Sequence, residues 1–251
     1  MSEICVVPAE GGDQELTVLR EPPKGSDPPT VLYLHGFGSY QEGEKANYFR
    51  ERIGRAGFGF VSLDFQGHGR SGGSITGLTL SRCLRDIDRV CRSVSGLDDQ
   101  VAILGSSMGA LAGAWHAAFR PEAVRALVLI SPAIGLDTTM AELLGTEGMA
   151  EWQRAGVLEI TNELGTFELG WEFVTDLEEY SGADLAAILK VPTLIFQGKL
   201  DDRVSWREVA KLAAATPDST RLELLEAGDH RLIEHMDWIA TEAVSFLGGA
   251  T

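Results

Sequence analysis

At 251 residues, 44% of them hydrophobic, the chain has the size of one α/β domain spanning 1–251, able to bury a sheet with helices on both faces. A formal net charge of −16 argues against nucleic acid and anionic membrane surfaces as partners. No stretch approaches the roughly 18 consecutive apolar residues of a membrane span, and the three cysteines, Cys5, Cys83 and Cys91, offer neither a disulfide framework nor a metal-ligand cluster.

The first residues, MSEICVVPAEGG, lack both a basic region and a long apolar core. They read as neither signal nor transit peptide, so a cytoplasmic, reduced protein is expected. Residues 3–8 and 14–20 form a hairpin around Glu10-Gly11-Gly12-Asp13, and a proline-rich connector follows. Residues 30–34 are an apolar strand running into His35-Gly36-Phe37-Gly38-Ser39. A helix over 45–55, a buried strand over 58–64 and a glycine-rich loop from Gln66 to Gly73 come next. Leu80, Leu84, Ile87, Cys91 and Val94 recur at helical spacing, which predicts an amphipathic helix over 79–95.

The β-branched run 101–104 then crosses Gly105-Ser106-Ser107-Met108-Gly109 into a helix-length segment of small and apolar residues, 108–119. Strand, sharp turn and helix are the context in which G-x-S-x-G marks a nucleophile elbow. Strand end and helix start approach so closely that the positions two before and two after the serine must be tiny, as Gly105 and Gly109 are. Ser107 also meets the unpaired N–H groups of a helix N-terminus, which favour negative charge.

Strands over 124–131, 191–197 and 220–226, a helix over 205–215 and a closing helix striped by Leu232, Met236, Ile239, Ala243 and Leu247 complete the alternation. It predicts a mostly parallel sheet of about eight strands with helices on both faces, and a site at the strands' carboxyl ends. An insert over 137–180 breaks the pattern. It carries Trp152, Phe167, Trp171, Phe173 and Tyr180, with a hairpin around Asn162-Glu163-Leu164-Gly165. It is expected to fold over Ser107 as a lid; the alternative is a surface excursion whose aromatics pack on one another. Residues 137–190 hold twelve acidic and two basic side chains, a charge expected to repel polyanions such as acyl-CoA unless it faces solvent.

A serine needs an adjacent base, itself oriented by a carboxylate. Asp201 follows the 191–197 strand, with Asp202 as fallback, and His230 follows the last strand, so Ser107, Asp201 and His230 are the candidate catalytic residues. His235, inside the closing helix, reads as a structural or surface residue, His116 as a packed core group, and His68 as a loop-stabilising or pocket-edge residue. The backbone N–H groups of Met108 and Phe37 are placed to receive an oxyanion. Tyr40, Trp152, Trp171 and Phe173 are candidate substrate contacts, and no metal or cofactor is called for.

HG after one strand, GHGRSGG after the next, then GSSMG, GKLDDRV and GDH in order resemble the α/β-hydrolase superfamily along nearly the whole chain. LHGFGSYQEGEKA, DFQGHGRSGG, GSSMGA, QGKLDDRVSW and GDHRL are similar to a narrower group, the mitochondrial-type palmitoyl-protein thioesterases and acyl-glucuronide esterases. Cinnamoyl-type esterases share the layout. The resemblance implies an α/β-hydrolase fold, Ser107, Asp201 and His230 as triad, and a hairpin lid matching AGVLEI…GTFELGWEFV. The expected activity is a serine carboxylesterase working through an acyl-enzyme on a small-molecule ester. A thioesterase with the same triad and a non-catalytic ligand-binding protein are the alternatives. Oligomeric state is not legible in the sequence.

Overall fold

The computed structural model describes residues 2–25, 28–94 and 100–249. Ten strands are assigned among them: β1 (Glu3–Val7), β2 (Leu16–Glu21), β3 (Thr30–Leu34), β4 (Gly59–Leu63), β5 (Val101–Ser106), β6 (Val124–Ile130), β7 (Val157–Asn162), β8 (Gly165–Gly170), β9 (Thr193–Gly198) and β10 (Thr220–Leu225). The helices are α1 (Glu44–Arg55), α2 (Leu80–Ser93), α3 (Met108–Phe119), α4 (Leu136–Ala155), α5 (Glu172–Leu177), α6 (Gly182–Ile188), α7 (Trp206–Ala215) and α8 (Met236–Gly249).

Eight strands make one sheet in the order β1-β2-β4-β3-β5-β6-β9-β10. From β4 to β10 every neighbour is parallel, and the β1–β2 hairpin is added antiparallel at the β4 edge. Parallel strands covered on both faces must be apolar throughout, and β5 shows why. Ile103 joins the core beneath α2, α3 and α7, while Ala102 and Leu104 join the core beneath α1 and α8. All five stripe residues, Leu232, Met236, Ile239, Ala243 and Leu247, are buried in that second core.

Most element boundaries fall within two residues of expectation. Thr79 caps α2 by accepting from the Arg82 N–H at 3.1 Å; α2 ends at Ser93, and position 95 of the expected helix lies outside the described residues. His235 is not inside the closing helix as expected. Leu232 adopts a left-handed φ of 53°, a single 3-10 turn follows over Ile233–His235, and α8 begins only at Met236.

The insert contains more regular structure than the sequence pattern announces. The hairpin is present as β7–β8, but α4 and α5 have no counterpart among the expected elements. α4 is two helices joined at Gly145, whose φ of 65° breaks the axis. The break changes the phase of the apolar residues, so no single stripe runs through it. The insert meets helices α2 and α3 tightly: the Ser81 N–H donates to Asp176 at 3.0 Å, the Ser81 and Tyr180 hydroxyls are 2.8 Å apart, and Tyr180 packs edge-on against Trp115. The excursion also closes on itself, since a Cβ on Gly182, at the start of α6, would lie 3.4 Å from Ile134. No helix among the described residues is long and apolar enough to cross a membrane.

Crossing α3 over the sheet depends on one missing side chain. A Cβ on Gly109 would overlap the carbonyl oxygens of Leu34 and His35, which are backbone and have no room to yield. Gly109→Ala should therefore destabilise the protein by about 3 kcal/mol or more, read as the shift in urea midpoint at unchanged m-value; a loss below about 1 kcal/mol would show that α3 can tilt away.

Candidate active site

Ser107 joins β5 to α3 with φ 54° and ψ −116°. A non-glycine residue there carries strain of about 1–3 kcal/mol and persists only when its surroundings over-determine it. They do: the Ser107 N–H donates to Ile130 at 2.9 Å, and its carbonyl accepts from Leu111 at 3.1 Å and Ala133 at 3.2 Å. The bend turns the hydroxyl out at the carboxyl end of the sheet.

His230 meets it there. Its Nε2 lies 3.1 Å from Ser107 Oγ, and its Nδ1 lies 2.8 Å from Asp201 Oδ2. Neutral imidazole donates from one nitrogen and accepts at the other; the carboxylate can only accept, so Nδ1 carries the proton and Nε2 faces the serine. The Asp201 side chain is 0% exposed, and it also accepts from Gln197 Nε2 and from the backbone N–H groups of Arg203 and Val204, each at 2.9 Å. Burial pushes its carboxyl up. The bond and charge of His230, with Gln197 and the Arg203 N–H, outweigh this and hold it below the usual range. Asp202 is exposed and makes none of these contacts.

The loops carrying acid and base touch through backbone. Leu200 N–H donates to the Gly228 carbonyl at 2.9 Å and Lys199 N–H to Leu225 at 2.9 Å. A side chain on Gly198 would overlap that same Gly228 carbonyl. Asp229 accepts from the Leu232 N–H at 2.7 Å, closing the turn that presents His230.

His35 organises the loop on the other side of Ser107. Its Nε2 accepts from the Phe65 N–H at 3.1 Å, so its proton sits on Nδ1, which donates to the Gly36 carbonyl at 2.8 Å. Ser39 N–H donates to the same oxygen at 3.1 Å. In a planar trans peptide C=O and N–H point opposite ways, so anchoring this carbonyl fixes the direction of the Phe37 N–H. Gly36 lies against the serine: a Cβ there would be 3.3 Å from Ser107 Cβ. Desolvation lowers His35 to about 4 and His68 to about 3. The His68 ring lies tilted 5.0 Å from that of His35 and donates to Gln66 O at 3.2 Å, so it supports the loop from behind and does not edge the pocket.

Ser107 and His230 open into a cavity of about 370 Å³, walled by Gly36 and Phe37, by Leu136 and Met140 of α4, and by residues 160–164 and Leu169 of the hairpin. Of the four expected substrate contacts, only Phe173 lines it. Tyr40 is 46% exposed and lies outside. Trp152 is buried and donates its indole N–H to the Leu169 carbonyl at 3.1 Å, and Trp171 packs perpendicular to it, 5.5 Å away. Both tryptophans hold the insert together instead of touching the cavity. His116 is buried 3.4 Å from Asp88, away from the cavity.

The insert's charge does not reach the cavity as anticipated. Eleven of its twelve acidic residues in 137–190 are exposed, and Asp176 is half-buried against α2. Glu163, at the hairpin tip, alone among them lines the cavity, where it pairs with Arg203 at 2.8 Å and Arg231 at 3.5 Å. These two arginines, next to Asp202 and His230 in the chain, were missed in the sequence, as was Lys45. Complementary charge between the hairpin turn and the loops after β9 and β10 was the available signal.

A mostly parallel eight-stranded sheet, a strained serine elbow between β5 and α3, and loops after β9 and β10 that meet that serine define an α/β-hydrolase fold. The chain belongs to the family described as serine aminopeptidase, S33 (Hydrolase_4), whose model matches residues 26–167. It is 26% identical over 214 residues to the mouse mitochondrial palmitoyl-protein thioesterase ABHD10, spanning 83% of this chain and 71% of that one. The structure of mouse α/β-hydrolase domain-containing protein 10 superposes with a TM-score of 0.84 at 23% identity, over 99% of this chain and 100% of the other. Est1E from Butyrivibrio proteoclasticus, solved with ferulic acid bound, gives 0.78 at 20% identity, over 97% of each chain.

The two neutral histidines make the loop acid-sensitive. Each binds a proton more readily unfolded, near 6.5, than folded, so each withdraws stability as pH falls from about 6.5 toward its folded value. Asp86, raised by burial to about 6, and Asp64, also raised, work in the opposite sense, Asp86 from about pH 6 downward, because the folded state holds their protons more tightly. His68→Gln should thus shrink the fall in Tm between pH 7 and 5 relative to the parent; an equal or larger fall would remove His68 from this account.

Proposed function

We propose that the protein is a serine hydrolase that cleaves carboxylic esters through an acyl-enzyme, with Ser107, His230 and Asp201 as its triad. The observation that carries this reading is the hydrogen-bonded line from Ser107 Oγ through His230 to Asp201, at 3.1 and 2.8 Å. Ser107 Oγ attacks the acyl carbonyl while His230 Nε2 takes its proton, and Asp201 stabilises the imidazolium. The oxyanion is received by the N–H groups of Phe37 and Met108. His230 then protonates the departing group, leaving the acyl group on Ser107; a water, deprotonated by His230, attacks that ester and returns the serine. Losing one oxyanion donor typically costs about 2.7–4 kcal/mol of barrier, which is why the anchoring of the Gly36 carbonyl by His35 matters to rate.

The hairpin and α4 act as a lid over this centre, their apolar side chains receiving the acyl group. Thioester cleavage uses the same steps with a thiol leaving, and the likeness to proteins named palmitoyl-protein thioesterases favours it as the second reading.

A fluorophosphonate probe should label the protein and lose that label in Ser107→Ala; absence of labelling in the folded parent would favour a binding protein on a hydrolase frame. Turnover across chromogenic esters and thioesters of graded chain length separates the two readings. Asp201→Asn should lower kcat by about 10³–10⁴, whereas Asp202→Asn should change it less than threefold. The reverse order would reassign the acid.

A further inference from the structure

Three cations line the cavity, and they are not equivalent. Arg203 pairs with Glu163, and Arg231 pairs with Glu44 and Glu163. Lys45 makes no ion pair among the described residues. Its ammonium donates to Ser106 Oγ at 3.2 Å, a neutral acceptor on the residue directly before Ser107. An ammonium has three donors, so this bond leaves N–H capacity on a residue that lines the same cavity as the nucleophile. A cation placed out of water without a direct partner is costly, and the carboxylates that favour its charge, Asp229, Asp201 and Glu44, make no ion pair with it within 4.0 Å.

We propose that Lys45 is a specificity-determining residue that binds a carboxylate carried by the substrate close to its scissile carbonyl. This rests on the hydrolase reading above and narrows it to anionic esters or thioesters. Lys45, Ser106 and Ser107 line the same cavity, so a group held at Lys45 shares the space that the substrate's carbonyl must enter. A substrate carboxylate that reaches Lys45 while the carbonyl lies at Ser107 pairs the ammonium, and a long unbranched acyl chain with no charge leaves it unpaired. Burial and the nearby Arg231 lower Lys45 to about 8, which keeps it mostly charged at neutral pH. The exposed acids of the insert do not oppose such a ligand inside the cavity, where Glu163 is already matched by two arginines.

The test compares two pairs of esters at pH 7. The first pair carries the charge on the acyl side, 4-nitrophenyl hemiglutarate against 4-nitrophenyl valerate. The second carries it on the leaving group, 4-carboxyphenyl butyrate against 4-methylphenyl butyrate. Rates are normalised to the fraction of Ser107 labelled by a fluorophosphonate, so misfolded enzyme drops out of the comparison. The parent should prefer the charged member of one pair. Lys45→Met should reduce that preference at least tenfold, mainly through KM, and Lys45→Arg should retain most of it. The pair that responds identifies the side on which the carboxylate sits. A parent that prefers the neutral member of both pairs, or a preference unmoved in Lys45→Met, would overturn the assignment. Failure of the probe to label the parent would instead strike the hydrolase reading on which it stands.

Discussion

Backbone lying directly on backbone is the constraint from which this site follows. Gly109 rests on the carbonyls of Leu34 and His35, and Gly198 rests on that of Gly228. The first contact draws the start of α3 against the end of β3, so the elbow and the His35–Ser39 loop share one wall of the cavity. The second draws the loops after β9 and β10 together, so Asp201 and His230 can meet at 2.8 Å although 29 residues separate them. Side chains at these positions would push the parts of the site apart before any question of chemistry arose.

Polar groups then fix directions that packing leaves free. His35 illustrates the economy of the arrangement: one neutral ring accepts from Phe65, donates to Gly36 and thereby aims the Phe37 amide. Asp201 is held by four donors, so its carboxylate has little freedom to rotate away from His230. Such over-determined groups keep a reactive geometry without relying on the substrate to assemble it.

Much of this was readable in advance where a local rule dictates the outcome. The G-x-S-x-G turn, the strand-end placement of Asp201 and His230, and the stripe from Leu232 to Leu247 each follow from spacing or turn chemistry, and each is found in the fold. What could not be read depends on which segments meet in space. Trp152 and Trp171 look like substrate contacts by type, yet they pack edge-on against each other, and the hairpin carbonyl of Leu169 supplies the indole N–H of Trp152 with its partner. Lys45 appears in the sequence as an ordinary first-turn helix residue; only the close approach of α1 to the end of β5 brings it to Ser106. α4 escaped notice because Gly145 splits its apolar pattern into two short pieces.

The contact between Gly182 and Ile134 has a consequence for how this architecture can diversify. The excursion leaves the end of β6 and returns to almost the same point before α6 begins, so it is a detour with a narrow neck. Entropic cost rises only slowly with the length of such a loop. A longer, shorter or differently built detour could be grafted at that neck while β6, β9 and the elbow kept their places, giving a new appetite for acyl groups to unchanged bond-breaking machinery.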